Sequence, residues 1–307
     1  MNSIFYLIVL LSSFLQGLSI NYYKKFNIGL INQLLIYFLL FSIIPIIYIL
    51  CSVKENKLLY IKDLINKTYD NSMIKLNIAN FIRTISIILS IFLNGPGVTC
   101  ALSMTIPAFT AIFSKLFLNK KFNYTVIMGI IVSFIGVLII QFKSIKNIFM
   151  NGFSIKNIYL LFPLLVGITT AYILINYKNI NQTSNDDIFT MSFGALPFMI
   201  LLFIIYNIYN YFTKEKIYFG IPNMPYNTET IIKFIFTGII TLYGGFLLMF
   251  EGLKKLNSIE VAILLATMPV FTFIIQYFMF KMPFYLYQMI GVIVIIIGAL
   301  VVSYGNQ

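Results

Sequence analysis

The sequence predicts an all-α polytopic membrane protein with ten transmembrane helices, arranged as two inverted five-helix repeats. Three observations predict it. Of the 307 residues, 60% are hydrophobic and only 10% charged, whereas soluble chains are roughly a quarter charged. Apolar runs of about 20 residues, the length that crosses a bilayer, recur along the whole chain. Residues 101–140 also match residues 263–302 without a gap.

The first span runs from Ser3 to Ile20 and is closed by Asn21, Lys24 and Lys25. Met1-Asn2-Ser3 holds no basic n-region, and no small-residue cleavage site follows, so this stretch reads as a retained helix. The second span is Gly29–Cys51. A polar segment from Ser52 to Met73 then carries seven charged residues. Ile74–Asn94 is the third span, ended by the turn Gly95-Pro96-Gly97. Val98–Leu118 is the fourth and Tyr124–Gln141 the fifth.

A basic connector with Lys143, Lys146 and Lys156 leads to the sixth span, Ile158–Asn176. A polar loop with Asp186 and Asp187 precedes the seventh, Ile188–Tyr211. The longest loop of the second half carries Lys214, Glu215, Lys216 and Pro222-Asn223-Met224-Pro225. Ile231–Gly252, Ile259–Phe280 and Tyr285–Tyr304 complete the set. No barrel-type alternation is sustained, so helices are the spanning form that satisfies every backbone polar group. Loop lysines divide almost evenly between the two faces, and the positive-inside bias does not fix the orientation.

The self-match has an offset of 162 residues. Thr105-Ile106-Pro107-Ala108-Phe109-Thr110 falls on Thr267-Met268-Pro269-Val270-Phe271-Thr272, Phe122 on Phe284, Gly129 on Gly291 and Gly136 on Gly298. Isoleucines coincide by chance in such a chain; a proline, two threonines and two glycines in register do so far less easily. The match lays spans four and five over spans nine and ten. This divides the chain into residues 1–142, a connector 143–157, and residues 158–307. An odd number of helices per unit inverts the second copy. Inverted repeats are common in secondary transporters, whose substrate sites lie at the repeat interface. The glycines, two turns apart, line a face where backbones can approach closely. Pro107 and Pro269 interrupt the hydrogen bonding of their spans as bends or as gate kinks.

Composition narrows the chemistry. The net charge is +12, but the lysines are dispersed over short loops and form no stripe for nucleic acid. They suit anionic headgroups, or simply reflect the chain's overall composition. Cys51 and Cys100 make no metal or redox spacing, and no cofactor or metal site is expected. The chain has no histidine, no paired intramembrane carboxylates and no nucleophile elbow, so no catalytic residues and no enzyme are expected.

Ala101–Ile140 and Ile263–Val302 each show a mid-helix proline, a short charged turn, and a glycine-bearing helix that ends in Gly136-Val137 or Gly298-Ala299. In this the chain resembles the drug/metabolite transporter (DMT) superfamily, specifically its EamA-type members, over nearly its whole length. The family often has Glu in the turns where this chain has Asn119-Lys120-Lys121 and Lys281-Met282-Pro283. The resemblance implies ten helices, both termini in the cytoplasm, and export or exchange of small metabolites. A bacterial inner membrane is the expected location and a eukaryotic organelle the alternative. A homodimer and a coupling proton are compatible with it.

Charges inside spans are costly and are functional candidates by default. Arg83 lies near the middle of span three, flanking a polar stripe of Asn77, Asn80 and Thr84. It reads as an anchor for a carboxylate or phosphate, or as a structural donor to carbonyls. Gln16 with Ser12 and Ser13 makes the polar face of span one, and Thr169, Thr170, Tyr172 and Asn176 that of span six. The expected substrate-binding set is Arg83, Asn80, Thr84, Gln16 and Thr170. Glu251, at the end of span eight, is a candidate for proton coupling or an ion pair, or an interfacial neighbour of Lys254 and Lys255. The expected function is secondary transport of a small, amino acid-like or other organic solute by alternating access. Two alternatives stay open. One is a nucleotide-sugar or organic-phosphate antiporter, which needs two or more cavity cations; the other is a non-transporting receptor or scaffold.

Overall fold

In lipid the backbone must bond to itself, so each apolar run becomes helix. A computed structural model describes residues 2–25, 30–52, 56–119, 124–140, 142, 159, 161–176, 184–213, 228–281 and 285–305. Among them are fifteen α-helices, one π-helical turn and no strand. The first seven are α1 (Asn2–Lys25), α2 (Leu30–Ser52), α3 (Lys57–Thr68), α4 (Asn71–Asn94), α5 (Pro96–Ser103), α6 (Ile106–Leu118) and α7 (Tyr124–Ile140). Then come α8 (Leu161–Asn176), α9 (Ser184–Phe193), α10 (Leu196–Thr213), α11 (Thr228–Thr237), the π turn Gly238–Tyr243 and α12 (Gly244–Leu253). Last are α13 (Ser258–Leu265), α14 (Met268–Phe280) and α15 (Leu286–Gly305). The connector 143–157, Phe122, Phe284 and the loop 214–227 lie outside the described residues.

Six stretches are long and apolar enough to cross a bilayer: Ile4–Lys25, Asn71–Asn94, Pro96–Leu118, Ser184–Ile205, Thr228–Leu253 and Ser258–Phe280. Shorter apolar helices cover Ile36–Ser52, Tyr124–Ile140, Leu161–Asn176 and Leu286–Val301. Leu7, Leu116, Ile131, Leu138, Phe278 and Leu286 stand exposed on their outer faces, where lipid rather than water would meet them. The chain is an all-helical, multi-pass membrane protein.

Three readings of the sequence change. The fourth and ninth spans are each two helices, broken at Met104-Thr105 and Ala266-Thr267. Pro107 and Pro269 sit in the first turn of the second piece, where a missing N–H costs little. They start the second helix of each span, so the interruption falls between two helices. The segment around Asp186 and Asp187 is the first turn of α9, not a loop. The charged stretch after span two contains a helix, α3, with Leu64 and Thr68 buried and Leu58 and Leu59 exposed.

The offset of 162 residues reappears in the backbone. Asn119 ends α6 at φ 51°, ψ 27°, and Lys281 ends α14 at φ 51°, ψ 26°. Among the described residues, α7 and α15 share the most extensive helix contact. A Cβ on Gly136 would meet the carbonyl oxygen of Gly291 at 2.7 Å, and one on Gly291 would meet that of Gly136 at 2.8 Å. One on Gly298 would meet the oxygen of Gly129 at 2.8 Å. Exchanging the two segments at this offset turns the Gly136–Gly291 contact into the Gly298–Gly129 contact. Other contacts exchange in the same way: α1 packs on α12, α13 and α14, and α8 on α4, α5 and α6. The polar centre lies inside this frame, between α1, α2, α4, α9 and the π turn with α12.

Gly136→Val forces a side chain against the Gly291 backbone. Overpacking of this kind costs about 1–3 kcal/mol. The thermal midpoint in detergent should fall, whereas Gly244→Ala, whose added Cβ meets nothing closer than 3.7 Å, should leave it nearly unchanged.

Candidate functional site

α4 brings Arg83 to the middle of the protein, where the residue is only 7% exposed. Its Nη2 donates to Tyr37 Oη at 3.2 Å and to Asn80 Oδ1 at 3.1 Å. The guanidinium carbon lies 4.5 Å from the centroid of Phe246 on α12, a cation–π contact. Tyr37 stacks on Phe41 with ring centroids 4.3 Å apart, and Phe41 meets the rings of Phe246 and Tyr243 edge-on. Arg83 makes no ion pair with any described residue, and its Nε has no hydrogen-bond partner among them. A buried charge ordinarily needs both.

Asn80 holds Arg83 and also donates from Nδ2 to the carbonyl of Met191 at 3.3 Å, which ties α4 to α9. Thr84 spends its hydroxyl on the Asn80 carbonyl at 2.8 Å, one turn back in its own helix. Gln16 Nε2 donates to Ser12 Oγ at 2.9 Å, and Ser12 in turn bonds the carbonyl of Gly245. Gln16, Arg83 and Thr84 line one cavity of about 30 Å³. Asn80 and Arg83 line a second of about 10 Å³ with Ile188, Met191 and Ser192 of α9. These hold a water at most and no metabolite, so the site is closed in this conformation. Four of the five expected residues thus gather around the guanidinium.

Thr170 does not join them. It is buried on α8, which packs against α4, α5 and α6, and it lines neither cavity. Asn77 also turns away from the stripe, donating to the carbonyl of Thr68 at the end of α3 at 2.9 Å. Glu251 is half-buried near the end of α12 and makes no ion pair with a described residue. Lys254 reaches Asp187 instead, at 4.0 Å.

A larger cavity lies elsewhere. It measures about 460 Å³ and opens at the face where α2 ends and α4 begins, lined by Tyr60, Asp63, Lys67, Asp70 and Asp186 among others. Between this vestibule and the Arg83 cavities lies the first turn of α9. Tyr60 Oη donates to Asp186 Oδ2 at 2.8 Å, and Tyr243 Oη donates to Asn185 Oδ1. Asp186 and Asp187 are 1% and 3% exposed. No run of residues in the sequence announces these partners, because they come from α3, the π turn and the end of α12.

Residues 156–304 match the EamA-like transporter family. That segment resembles the proteins of this family. A relative from Archaeoglobus fulgidus named as an uncharacterized transporter is 24% identical over 174 residues, which are 57% of this chain and 55% of that protein. The chain therefore aligns with about half the length of that relative. A protein of known crystal structure superposes with a TM-score of 0.63 at 12% identity, over 99% of this chain and 96% of that one, a likeness of fold alone. The EamA segment supplies Phe246, Asp186, Asp187 and Glu251; Arg83, Asn80 and Gln16 come from the preceding half.

Burial and the Asp186 carboxylate both raise the Tyr60 phenol above its ordinary pKa, burial the more. It therefore stays a donor at all ordinary pH. Stability from this bond is fully present below pH about 10, the unfolded phenol value, and fades as pH rises through the raised folded value. Tyr60→Phe should lower the thermal midpoint in detergent at neutral pH, with a bond to a charged acceptor contributing about 1–3 kcal/mol. The gap to the unmodified protein should narrow as pH climbs above 10.

Proposed function

We propose that this protein is a secondary transporter of a small organic solute bearing one carboxylate, working by alternating access. The observation that carries the reading is the buried Arg83 guanidinium, which has no carboxylate beside it and a free Nε among the described residues. A guanidinium offers a planar fork that matches a carboxylate. Gln16 and Asn80 supply further hydrogen bonds, with Thr84 as a weaker member of the set. Tyr37, Phe41 and Phe246 provide an apolar wall for the rest of the solute.

An amino acid-like solute suits the surroundings better than a phosphate ester. Only one cation lines the Arg83 cavities, and a dianionic group needs more. The vestibule carries Asp63, Asp70 and Asp186 against Lys67, a lining that favours a solute with an ammonium group and repels multiply charged anions. The transporter reading draws its support from the EamA match and the transporter name of the archaeal relative.

The architecture we propose has ten spans in two inverted five-helix units, residues 1–142 and 158–307, joined by 143–157. The six long and four short apolar helices sum to that number among the described residues. The exchange-related contacts of α7 with α15 and of α1 and α8 with their partners support it. Export or exchange across a bacterial inner membrane is the direction and place we assign, and Glu251 is the residue we assign to proton coupling.

Profiling cells with and without the protein for changed metabolite levels would identify the solute. In liposomes, Arg83→Ala should then cut its flux at least tenfold (about 1.4 kcal/mol or more), and Arg83→Lys should restore it only in part. Full flux in Arg83→Ala would remove Arg83 from the site, and no solute-dependent flux across a broad panel would overturn the transporter reading.

A further inference from the structure

We propose that the first turn of α9, Asn185-Asp186-Asp187, is the latch of a gate that closes the Arg83 cavity toward the α3 face. Three consecutive side chains there are held by three different pieces of the chain. Tyr243, at the end of the π turn, donates to Asn185. Tyr60 of α3 donates to Asp186 at 2.8 Å. Lys254, just past α12, pairs with Asp187 at 4.0 Å. The turn binds the two walls of the cavity together, because Ile188, Met191 and Ser192 of α9 face Phe246 and Phe250 of α12 across Arg83.

The geometry points to a gate rather than a simple brace. On one side of the turn lies a vestibule of about 460 Å³, and Asp186 lines it. On the other side, starting at Ile188, lies a cavity of about 10 Å³. Asp186 and Ile188, two residues apart on α9, thus line the open space and the Arg83 cavity respectively. The seal consists of polar bonds between side chains, which can be exchanged for water when they part. The glycine-lined contact of α7 with α15 is backbone against backbone and cannot be exchanged in this way. Asn80 adds a second tie from α4 to α9 deeper in, through the Met191 carbonyl. α3 is suited to carry the moving end: only Leu64 and Thr68 of its residues are buried, and Leu58 and Leu59 stand exposed.

The test uses the full chain with Cys51→Ser, since Cys51 is exposed and Cys100 is fully buried. Ser192→Cys places a reporter thiol in the Arg83 cavity. A membrane-impermeant methanethiosulfonate applied at the α3 face should label it slowly. Adding Tyr60→Phe and Tyr243→Phe should raise the labelling rate at least tenfold. Unchanged labelling in a monodisperse double variant would overturn the latch. Should that variant fail to fold, a second arm replaces it. Tyr60→Cys with Asp186→Cys, bridged by a short bis-methanethiosulfonate linker, should lose at least nine-tenths of its flux and regain it on reduction. Undiminished flux while bridged would show that this turn never opens. Labelling needs no substrate, so it reports on the gate even if the transport reading of the Arg83 site fails.

Discussion

Helices in lipid gain little by burying apolar surface against each other, so the fold depends on how closely their backbones can approach. Gly136, Gly291 and Gly298 provide that approach where α7 meets α15, with carbonyl oxygens within 3 Å of where side chains would stand, one of them that of Gly129. Gly17 and Gly167 do the same for α1 against α14 and for α8 against the α5–α6 break. Gly252 leaves room for Val9, and Gly245 for Gln16. These close contacts set the helix positions, and larger side chains, mostly aromatic, fill the space that remains around α4. A charged residue can then stand in the centre, because its surroundings are held by backbone packing that does not depend on it.

The guanidinium of Arg83 is the costly element of that centre. Two neutral acceptors, Tyr37 and Asn80, and the face of Phe246 offset part of the desolvation. A neutral partner recovers less than a carboxylate would. The protein has carboxylates close by, in Asp186 and Asp187, yet these are engaged by Tyr60 and Lys254 at the edge of the cavity. Cation and anions are thus held by different partners, an arrangement that leaves the cation available to a ligand and sets the anions at the entrance.

The sequence carried the frame of this structure more openly than its centre. Apolar runs of span length, Gly95-Pro96, and the glycine pairs at the offset of 162 residues are local signals, and each falls where the chain turns or where helices meet. Arg83 was legible because a lone charge in an apolar run is conspicuous. Its partners were not: Tyr37 and Phe246 are 46 and 163 residues away and look like ordinary aromatic filling. Asn77, Asn80 and Thr84 form one stripe by helical spacing, yet three local options split them between Thr68, Arg83 and a backbone carbonyl. Asp186 and Asp187 read as a loop because two adjacent acids resemble solvated chain. Tyr60, which bonds the buried Asp186 carboxylate, lies 126 residues earlier in the chain.

The π-helical turn from Gly238 to Tyr243 joins these parts in a further way. Its hydrogen bonds reach one residue further along the chain than those of an α-helix. Each residue of an α-helix turns the chain by about 100°. Winding this stretch back to α-helical register would rotate α12 against α11 by roughly that angle. Tyr243 and Phe246 lie one turn apart on the same rotating segment. A single change of winding would therefore swing the Tyr243 hydroxyl off Asn185 and the Phe246 ring off Arg83 together, so that the state of the entrance and the cover of the cation would be read from one mechanical coordinate.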